Sequence, residues 1–351
     1  MKSDEHYIAR CNELALKGLG SVAPNPLVGC VIVLGEKIIS EGFHQKFGEA
    51  HAEVNAINNL GKDFDFSNCT LYVNLEPCSH HGKTPPCADL IISKKFKKVA
   101  VGCLDPNPLV AGKGIEKIKN AGIEVIENVL EYDCKELNKR FFIFQEKKRP
   151  YIILKWAQTA DGFISKNNLP KNVEENWISG EESKKLNHQW RAEEQAIMVG
   201  TNTVISDDPQ LTTRLVEGKN PLRILIDKDL KLNLDYKIFN ASAETIVFTT
   251  VEKESEKNIK FIAIDFSKNI IPQFLQKLFE LNITSVIVEG GAKLLQSFID
   301  TNLWEEARIF VNPNKKFESG IAAPKLNLKT SSDEINTIFI GNDLLFVHRN
   351  L

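Results

Sequence analysis

Tyr7, Ile8, Cys11, Leu14 and Ala15 recur at the spacing of a helix with one apolar face, and Gly18 with Gly20 can end it. The pattern then shortens. Val28 to Leu34 is a compact apolar run, Gly35-Glu36 reads as a turn, and Lys37 to Gly42 as a returning strand. The spacing predicts a helix from His51 to Leu60 and a strand from Thr70 to Leu75. A further helix opens at Pro85-Pro86, where the fixed φ of proline suits a first turn. Val99 to Gly102, Gly112 to Ala121 and Ile123 to Ile126 continue the alternation, which predicts a sheet covered by helices.

A boundary is expected after Phe144, because Gln145-Glu146-Lys147-Lys148-Arg149-Pro150 is polar and ends in a proline before a new apolar strand. This divides the chain into residues 1–146 and 147–351. The second part predicts strands at Tyr151 to Ala157, Ala196 to Val199, Leu222 to Ile226, Thr245 to Thr249 and Ser285 to Val288. Helices are expected near Glu181 to Arg191, Ile271 to Leu281 and Lys293 to Thr301. Ile338 to Ile340 and Leu344 to Val347, separated by Gly341-Asn342-Asp343, predict a closing hairpin.

Composition narrows the function classes. The 351 residues exceed what one core usually organises, which agrees with two domains. A net charge of −2 and a pI near 6.4 give no bias toward nucleic acid or an anionic membrane. No apolar run is long enough to span a bilayer, and Met1-Lys2-Ser3-Asp4-Glu5-His6 lacks the apolar core of a signal peptide, so a cytoplasmic protein is expected. The seven cysteines are an odd number, and none follows Cys134, so a disulfide framework is not expected. Cys11, Cys30, Cys103 and Cys134 sit among apolar neighbours and read as small core residues. Lys94-Lys95 and Lys97-Lys98 form a dense basic stretch, but Phe96 is its only flanking aromatic, so it reads as a solvated link.

The chemistry concentrates in His51-Ala52-Glu53, Pro77-Cys78 and Cys87. One histidine nitrogen and two thiolates occupy three tetrahedral positions on zinc and leave the fourth for water, the open arrangement of a catalytic site. Glu53, two residues past the histidine, can take the proton of that water and hand it to a leaving amine, which is the chemistry of a zinc deaminase. The usual signature closes with Pro-Cys-x-x-Cys, whereas here Ser79 to Pro86 separate the two cysteines. The alternative is a structural zinc site completed by His80, His81 or Cys69.

Asn25-Pro26-Leu27-Val28-Gly29, Gly42-Phe43-His44, His51-Ala52-Glu53, Glu76-Pro77-Cys78, His81 to Cys87 and Asp105-Pro106-Asn107-Pro108 together resemble the deaminase half of the bifunctional riboflavin-biosynthesis deaminase/reductase family. The resemblance implies a cytidine-deaminase-like three-layer αβα domain that removes the 2-amine of a phosphoribosylated diaminopyrimidinone. It implies zinc on His51, Cys78 and Cys87, with Glu53 as proton shuttle and Asn25, His44, Lys83 and Asn107 as substrate contacts. Read by themselves, Asn25 between prolines and the Asp105 to Pro108 stretch have the composition of rigid turns.

The second half lacks the Gly-x-Gly-x-x-Gly fingerprint of a dinucleotide-binding βαβ unit, but Val288-Glu289-Gly290-Gly291-Ala292 places glycines between a strand and a helix. With Lys155-Trp156-Ala157, Asp161-Gly162, Trp177-Ile178-Ser179, Arg191-Ala192, Val199-Gly200-Thr201 and Asp207 to Thr212, this resembles the reductase half of the same family. The resemblance implies a dihydrofolate-reductase-like α/β domain that uses NADPH to reduce the ribosyl group to ribityl. Ala157, Trp177, Thr203, Asp207 and Gly291 would line the cofactor, and Arg191, Leu211, Arg214 and Glu289 the substrate, with Lys155 or Asp207 supplying a proton. Taken alone, the arginines read as surface ion pairs with Glu193, Glu194 or Glu217. The resemblance also implies a homo-oligomer acting on a small molecule. The chain departs from the family pattern at Glu175-Asn176 and from Asn312 to Phe317. A nucleoside or transfer-RNA deaminase and a zinc-stabilised binding protein are the competing readings.

Overall fold

Ser3 caps the first helix, α1 (Asp4–Leu16), its side chain accepting the His6 amide. From there the computed structural model describes residues 3–79, 85–108, 110–166, 176–326 and 336–350. The chain forms two compact units, Met1–Lys148 and Arg149–Leu351.

In the first unit β1 (Gly29–Leu34) pairs antiparallel with β2 (Lys37–Phe43) and β3 (Cys69–Leu75). The sheet continues parallel through β4 (Lys98–Cys103) to β5 (Glu124–Ile126), giving the order β2-β1-β3-β4-β5. Because strand side chains alternate between faces, β1 feeds two cores. Cys30 and Ile32 pack with Ala56 of α2 (Ala52–Asn58), Ile91 of α3 (Cys87–Ser93) and Ile118 of α4 (Lys113–Asn120). Val31 and Val33 pack with Ile8 and Cys11 of α1, Cys134 of α5 (Glu131–Leu137) and Phe141 of α6 (Lys139–Lys147). The unit is therefore a three-layer αβα sandwich, as expected. The polar stretch expected as a link is partly helix: Phe141 and Phe144 bury against the unit and carry α6 through Gln145 to Lys147.

The second unit is built on a nine-stranded sheet. Its parallel part comprises β6 (Tyr151–Thr159), β8 (Ala196–Gly200), β9 (Leu222–Ile226), β10 (Thr245–Thr249), β11 (Ile259–Ala263), β12 (Ser285–Gly290) and β13 (Glu306–Asn312). The hairpin of β15 (Asn336–Ile340) and β16 (Asp343–Arg349) is added antiparallel to β13, in the order β11-β10-β9-β8-β12-β6-β13-β16-β15. A separate ribbon joins β7 (Phe163–Ser165) to β14 (Ile321–Ala322). One sheet face packs on α9 (Ile270–Glu280) and α10 (Ala292–Thr301) through Phe248, Phe274 and Phe298, whose rings follow one another at 5.9 and 5.5 Å. Trp190 of α7 (Glu181–Glu193) stacks on Phe310 of β13 at 5.4 Å. The short α8 (Thr201–Asp207) follows β8 directly.

β13 escaped the reading of the sequence because its alternation is broken by charge. Arg308 and Glu306 are both buried, joined Nε to Oε1 at 2.6 Å, with Glu194 3.7 Å from the guanidinium. A charged pair inside a core strand is polar in sequence, and its partners are met only in three dimensions.

Candidate active sites

The deaminase-type residues meet at the ends of secondary structure. His51 is the extended residue before α2, Cys87 opens α3, and Cys78 lies just past β3. His51 Nδ1 is 3.3 Å from Cys87 Sγ and 3.7 Å from Cys78 Sγ, and the Cys87 amide donates to Cys78 Sγ at 3.3 Å. The three ligand atoms all lie within 4.8 Å of one another. Tetrahedral zinc with bonds of about 2.0–2.3 Å needs donors roughly 3.5–3.8 Å apart, so this set fits the metal. Hydrogen bonding to Cys87 and then to His51 holds the Cys78 thiol well below its usual range, which favours the ligating thiolate. Cys69 opens β3 at the end away from Cys78, so about 20 Å of strand keeps it from serving as a fourth ligand. His80 and His81 lie outside the described residues.

Glu53 is 3% exposed in the first turn of α2, and burial pushes its carboxyl upward. A carboxyl so placed holds a proton more readily than one in water, which suits a group that must take one up during catalysis. His44 Nδ1 donates to the Ala50 carbonyl at 3.0 Å, which leaves Nε2 to accept from Asn25 Nδ2 at 3.1 Å. The His44 ring stands edge-on to that of His51, centroids 5.6 Å apart. Asn25 and His44 thus sit beside the metal ligands, while Lys83 falls outside the described residues.

Asn107 lies in the loop after β4, where its amide donates to Asp105 Oδ1 at 2.8 Å. That loop is tied down by Glu76, a residue the sequence offered only as part of a motif. The buried Glu76 carboxylate accepts from the amides of Gly112 and Gly114 at 2.9 Å and of Asp105 and Ile115 at 3.3 Å. It neutralises the start of α4 from within the turn that carries Cys78. A Cβ on Gly114 would come within 2.0 Å of the Pro77 carbonyl, so only glycine permits this approach.

In the second unit the register of β12 on β6 sets Val288 opposite Leu154, which brings Glu289 beside Lys155. Arg191 reaches Glu289 from α7, Nη2 to Oε2 at 2.7 Å and Nε to Oε1 at 3.3 Å, and Nη1 donates to the Thr212 carbonyl at 3.3 Å. Its partner is thus Glu289 across the sheet, not the neighbouring Glu193, Glu194 or Glu217. Burial pushes the Glu289 carboxyl up, but the Arg191 and Lys155 cations outweigh it and hold the carboxyl at about 2. Burial pushes Lys155 downward. The Arg214 amide donates to His188 Nδ1 at 2.9 Å, and its guanidinium reaches Thr212 Oγ1 at 3.0 Å. Leu211, buried between these partners in sequence, adopts φ +56°. His188 was not foreseen; its position three residues before Arg191, on the same helix face, was the available signal.

Thr203 and Gly291 are also brought together. β8 and β12 are adjacent and parallel, so α8 and α10 start side by side at their ends. A Cβ on Gly291 would lie 3.2 Å from Thr203 Oγ1. Gly291 precedes α10 with no side-chain cap, so backbone amides there are available to a phosphate, which fits a pyridine dinucleotide. Ala157 lies on β6, and Asp207 ends α8 with its carboxylate accepting from Ser206 Oγ at 2.8 Å. Trp177 is half exposed, with Lys184 Nζ 3.2 Å from the centre of its ring. The segment that departs from the family pattern holds this region in place. Asn312 Nδ2 donates to the Ile178 carbonyl at 2.7 Å and Lys315 Nζ to that of Trp177, while the amides of Phe317 and Glu318 donate to Asp161 at 3.1 and 2.8 Å.

Residues 1–103 match the family model described as the cytidine and deoxycytidylate deaminase zinc-binding region, and residues 150–314 match that of the RibD C-terminal domain. The riboflavin biosynthesis protein RibD of Aquifex aeolicus (strain VF5) is 42% identical over 357 residues, covering 97% of each chain. The chain belongs to the RibD family. RibD of Escherichia coli (strain K12) is 34% identical over 327 residues, 88% of each chain. Among solved structures, the diaminohydroxyphosphoribosylaminopyrimidine deaminase/5-amino-6-(5-phosphoribosylamino)uracil reductase of Thermotoga maritima has a TM-score of 0.88 at 40% identity, covering 99% of this chain and 98% of that one. Acinetobacter baumannii RibD gives a TM-score of 0.88 at 33% identity over the same shares. As a RibD protein, the chain joins a zinc-binding deaminase domain to a reductase domain in riboflavin biosynthesis. No helix among the described residues is long and apolar enough to cross a membrane.

Proposed function

We propose that the first unit hydrolyses the 2-amino group of 2,5-diamino-6-(5-phosphoribosylamino)pyrimidin-4(3H)-one, and that the second reduces the ribosyl group of the product to ribityl, giving 5-amino-6-(5-phosphoribitylamino)uracil. The observation that carries this reading is the His51, Cys78 and Cys87 cluster with the buried Glu53 two residues from its histidine, in a chain that is similar to RibD proteins along nearly its whole length.

Zinc held by His51, Cys78 and Cys87 supplies the Lewis acid that makes water nucleophilic at neutral pH. Glu53 accepts a proton from the attacking water and returns it to the departing amine, so ammonia leaves and a carbonyl replaces it. Its burial raises its affinity for the proton it takes from water. Asn25 and His44, held against each other by their hydrogen bond, contact the pyrimidine, and Lys83 and Asn107 complete the substrate contacts.

In the second unit NADPH supplies the hydride. The amides after Gly291, with Thr203, Ala157, Trp177 and Asp207, hold the dinucleotide. Arg191 and Arg214 supply guanidinium groups for the substrate phosphate, with Glu289 and Leu211 beside them. Lys155 delivers the proton that accompanies hydride transfer, and its burial makes that proton easier to release. The same reading makes the protein a cytoplasmic homo-oligomer that acts on a small molecule and not on nucleic acid.

Mass spectrometry of the diaminopyrimidinone ribosyl phosphate incubated with zinc-loaded protein tests both steps. Without NADPH one amine is expected to be replaced by oxygen; with it, the product gains two hydrogens. An unchanged substrate would overturn the assignment, and turnover of transfer RNA in its place would establish the rival deaminase.

A further inference from the structure

The loop that carries Asn25 belongs to no helix or strand, and Pro26 removes one of its backbone donors. Its shape is nevertheless held by two buried asparagines from distant parts of the first unit. Asn138, at the junction of α5 and α6, accepts the Leu27 amide on Oδ1 at 2.8 Å and donates from Nδ2 to the Leu27 carbonyl at 2.9 Å. One side-chain amide thus closes a two-bond ring with one backbone residue, as a neighbouring strand would. Asn74, in β3, donates to the same carbonyl at 3.1 Å and accepts the Gly29 amide at 2.9 Å. Asn74 is 0% exposed and Asn138 2%, so neither is spent on solvent. From the far side, α1 presses on the loop's exit, where a Cβ on Gly29 would come within 2.0 Å of the Cys11 carbonyl.

We infer that Asn74 and Asn138 are positioning residues of the deaminase site, clamping Leu27 so that Asn25 is presented to the pyrimidine beside the metal. Both side chains are buried beneath the loop, so they act through it. Asn25 stands two residues from the clamped Leu27 and is bonded to His44 Nε2, which leaves little freedom between clamp and substrate. Asn74 also lies in the strand that leads to Glu76 and Cys78, so the clamp references the loop to the element that sets the metal ligand. The inference rests on the reading of Asn25 as a substrate contact.

The test compares Asn138→Ala, Asn25→Ala and the double variant in the full-length, zinc-loaded protein. Deaminase kcat and KM are measured together with zinc per chain, and reduction of the deaminated intermediate reports that the second unit is intact. Asn138→Ala is expected to raise KM about tenfold, with kcat within about twofold and zinc retained. Asn25→Ala is expected to do the same, and the double variant to go no further, because both remove one interaction. Additive KM effects, an unchanged KM in Asn138→Ala, or loss of zinc with a collapse of kcat would each overturn the inference. An Asn25→Ala variant with unaltered KM would refute the substrate contact itself, and the clamp's purpose with it.

Discussion

Glu289 is the group whose removal has the most calculable consequence. Its carboxylate is nearly buried, with side-chain exposures of 9% for it and 10% for its partner Arg191, and Lys155 lies on the adjoining strand. Glu289→Gln keeps the shape and takes away the one negative charge that compensates two buried cations. The free carboxyl's ordinary value is 4.5, and in the fold it is held at about 2. At about 1.4 kcal/mol per tenfold change, that difference is worth about 3 kcal/mol. The range of about 3–5 kcal/mol for breaking a buried pair from one side agrees. Lys155 relieves part of the loss by releasing its own proton, which places the expected cost at the lower end.

All four tryptophans, Trp156, Trp177, Trp190 and Trp304, lie in the second unit, so tryptophan fluorescence, excited where tyrosine does not absorb, reports on that unit during urea unfolding. For a slope of about 2–3 kcal/mol/M, the midpoint should fall by roughly 1–1.5 M at pH 7. The sign with pH follows from the lowered carboxyl. Its contribution is fully present above the unfolded value and disappears as pH falls toward about 2, so the gap between parent and variant should close below about pH 4.5. A variant as stable as the parent at pH 7, or a gap that stays constant down to pH 2.5, would show that the pair does not carry this energy.

Glu53→Gln should retain zinc by elemental analysis, lower deaminase kcat by at least about 10²-fold and leave the reductase step unaltered. Cys87→Ser should release the metal and silence deamination, while NADPH-dependent reduction of the deaminated intermediate continues. Glu76→Ala leaves the amides of Asp105, Gly112, Gly114 and Ile115 without their buried acceptor; hydrogen exchange should rise in that loop, with a stability loss of about 1–3 kcal/mol.

The periodic segments of this chain were legible because local pattern and burial coincide in them. Ile8, Cys11 and Leu14 on α1, and Ile271, Phe274, Leu275 and Leu278 on α9, bury the faces that their spacing announces. The metal cluster was legible for a different reason. His51, Cys78 and Cys87 are chemically distinctive types gathered near element ends, and zinc chemistry limits what such a set can do. Resemblance extended this to Asn25, His44, Thr203 and Gly291, and the structure places Asn25 against His44 and Gly291 against Thr203.

What only the tertiary structure decided were the polar groups whose partners are remote in sequence. Arg191 pairs with Glu289, not with a glutamate near it, because strand register and helix packing carry the two together. β13 was hidden by Glu306 and Arg308, which pair with each other inside the sheet. Asn74 and Asn138, ordinary by type and far from Leu27 in the chain, become a clamp once β3 and the α5–α6 junction converge. Periodicity records which face of an element avoids water. It carries no record of which distant donor meets which acceptor, since that depends on how the elements are packed.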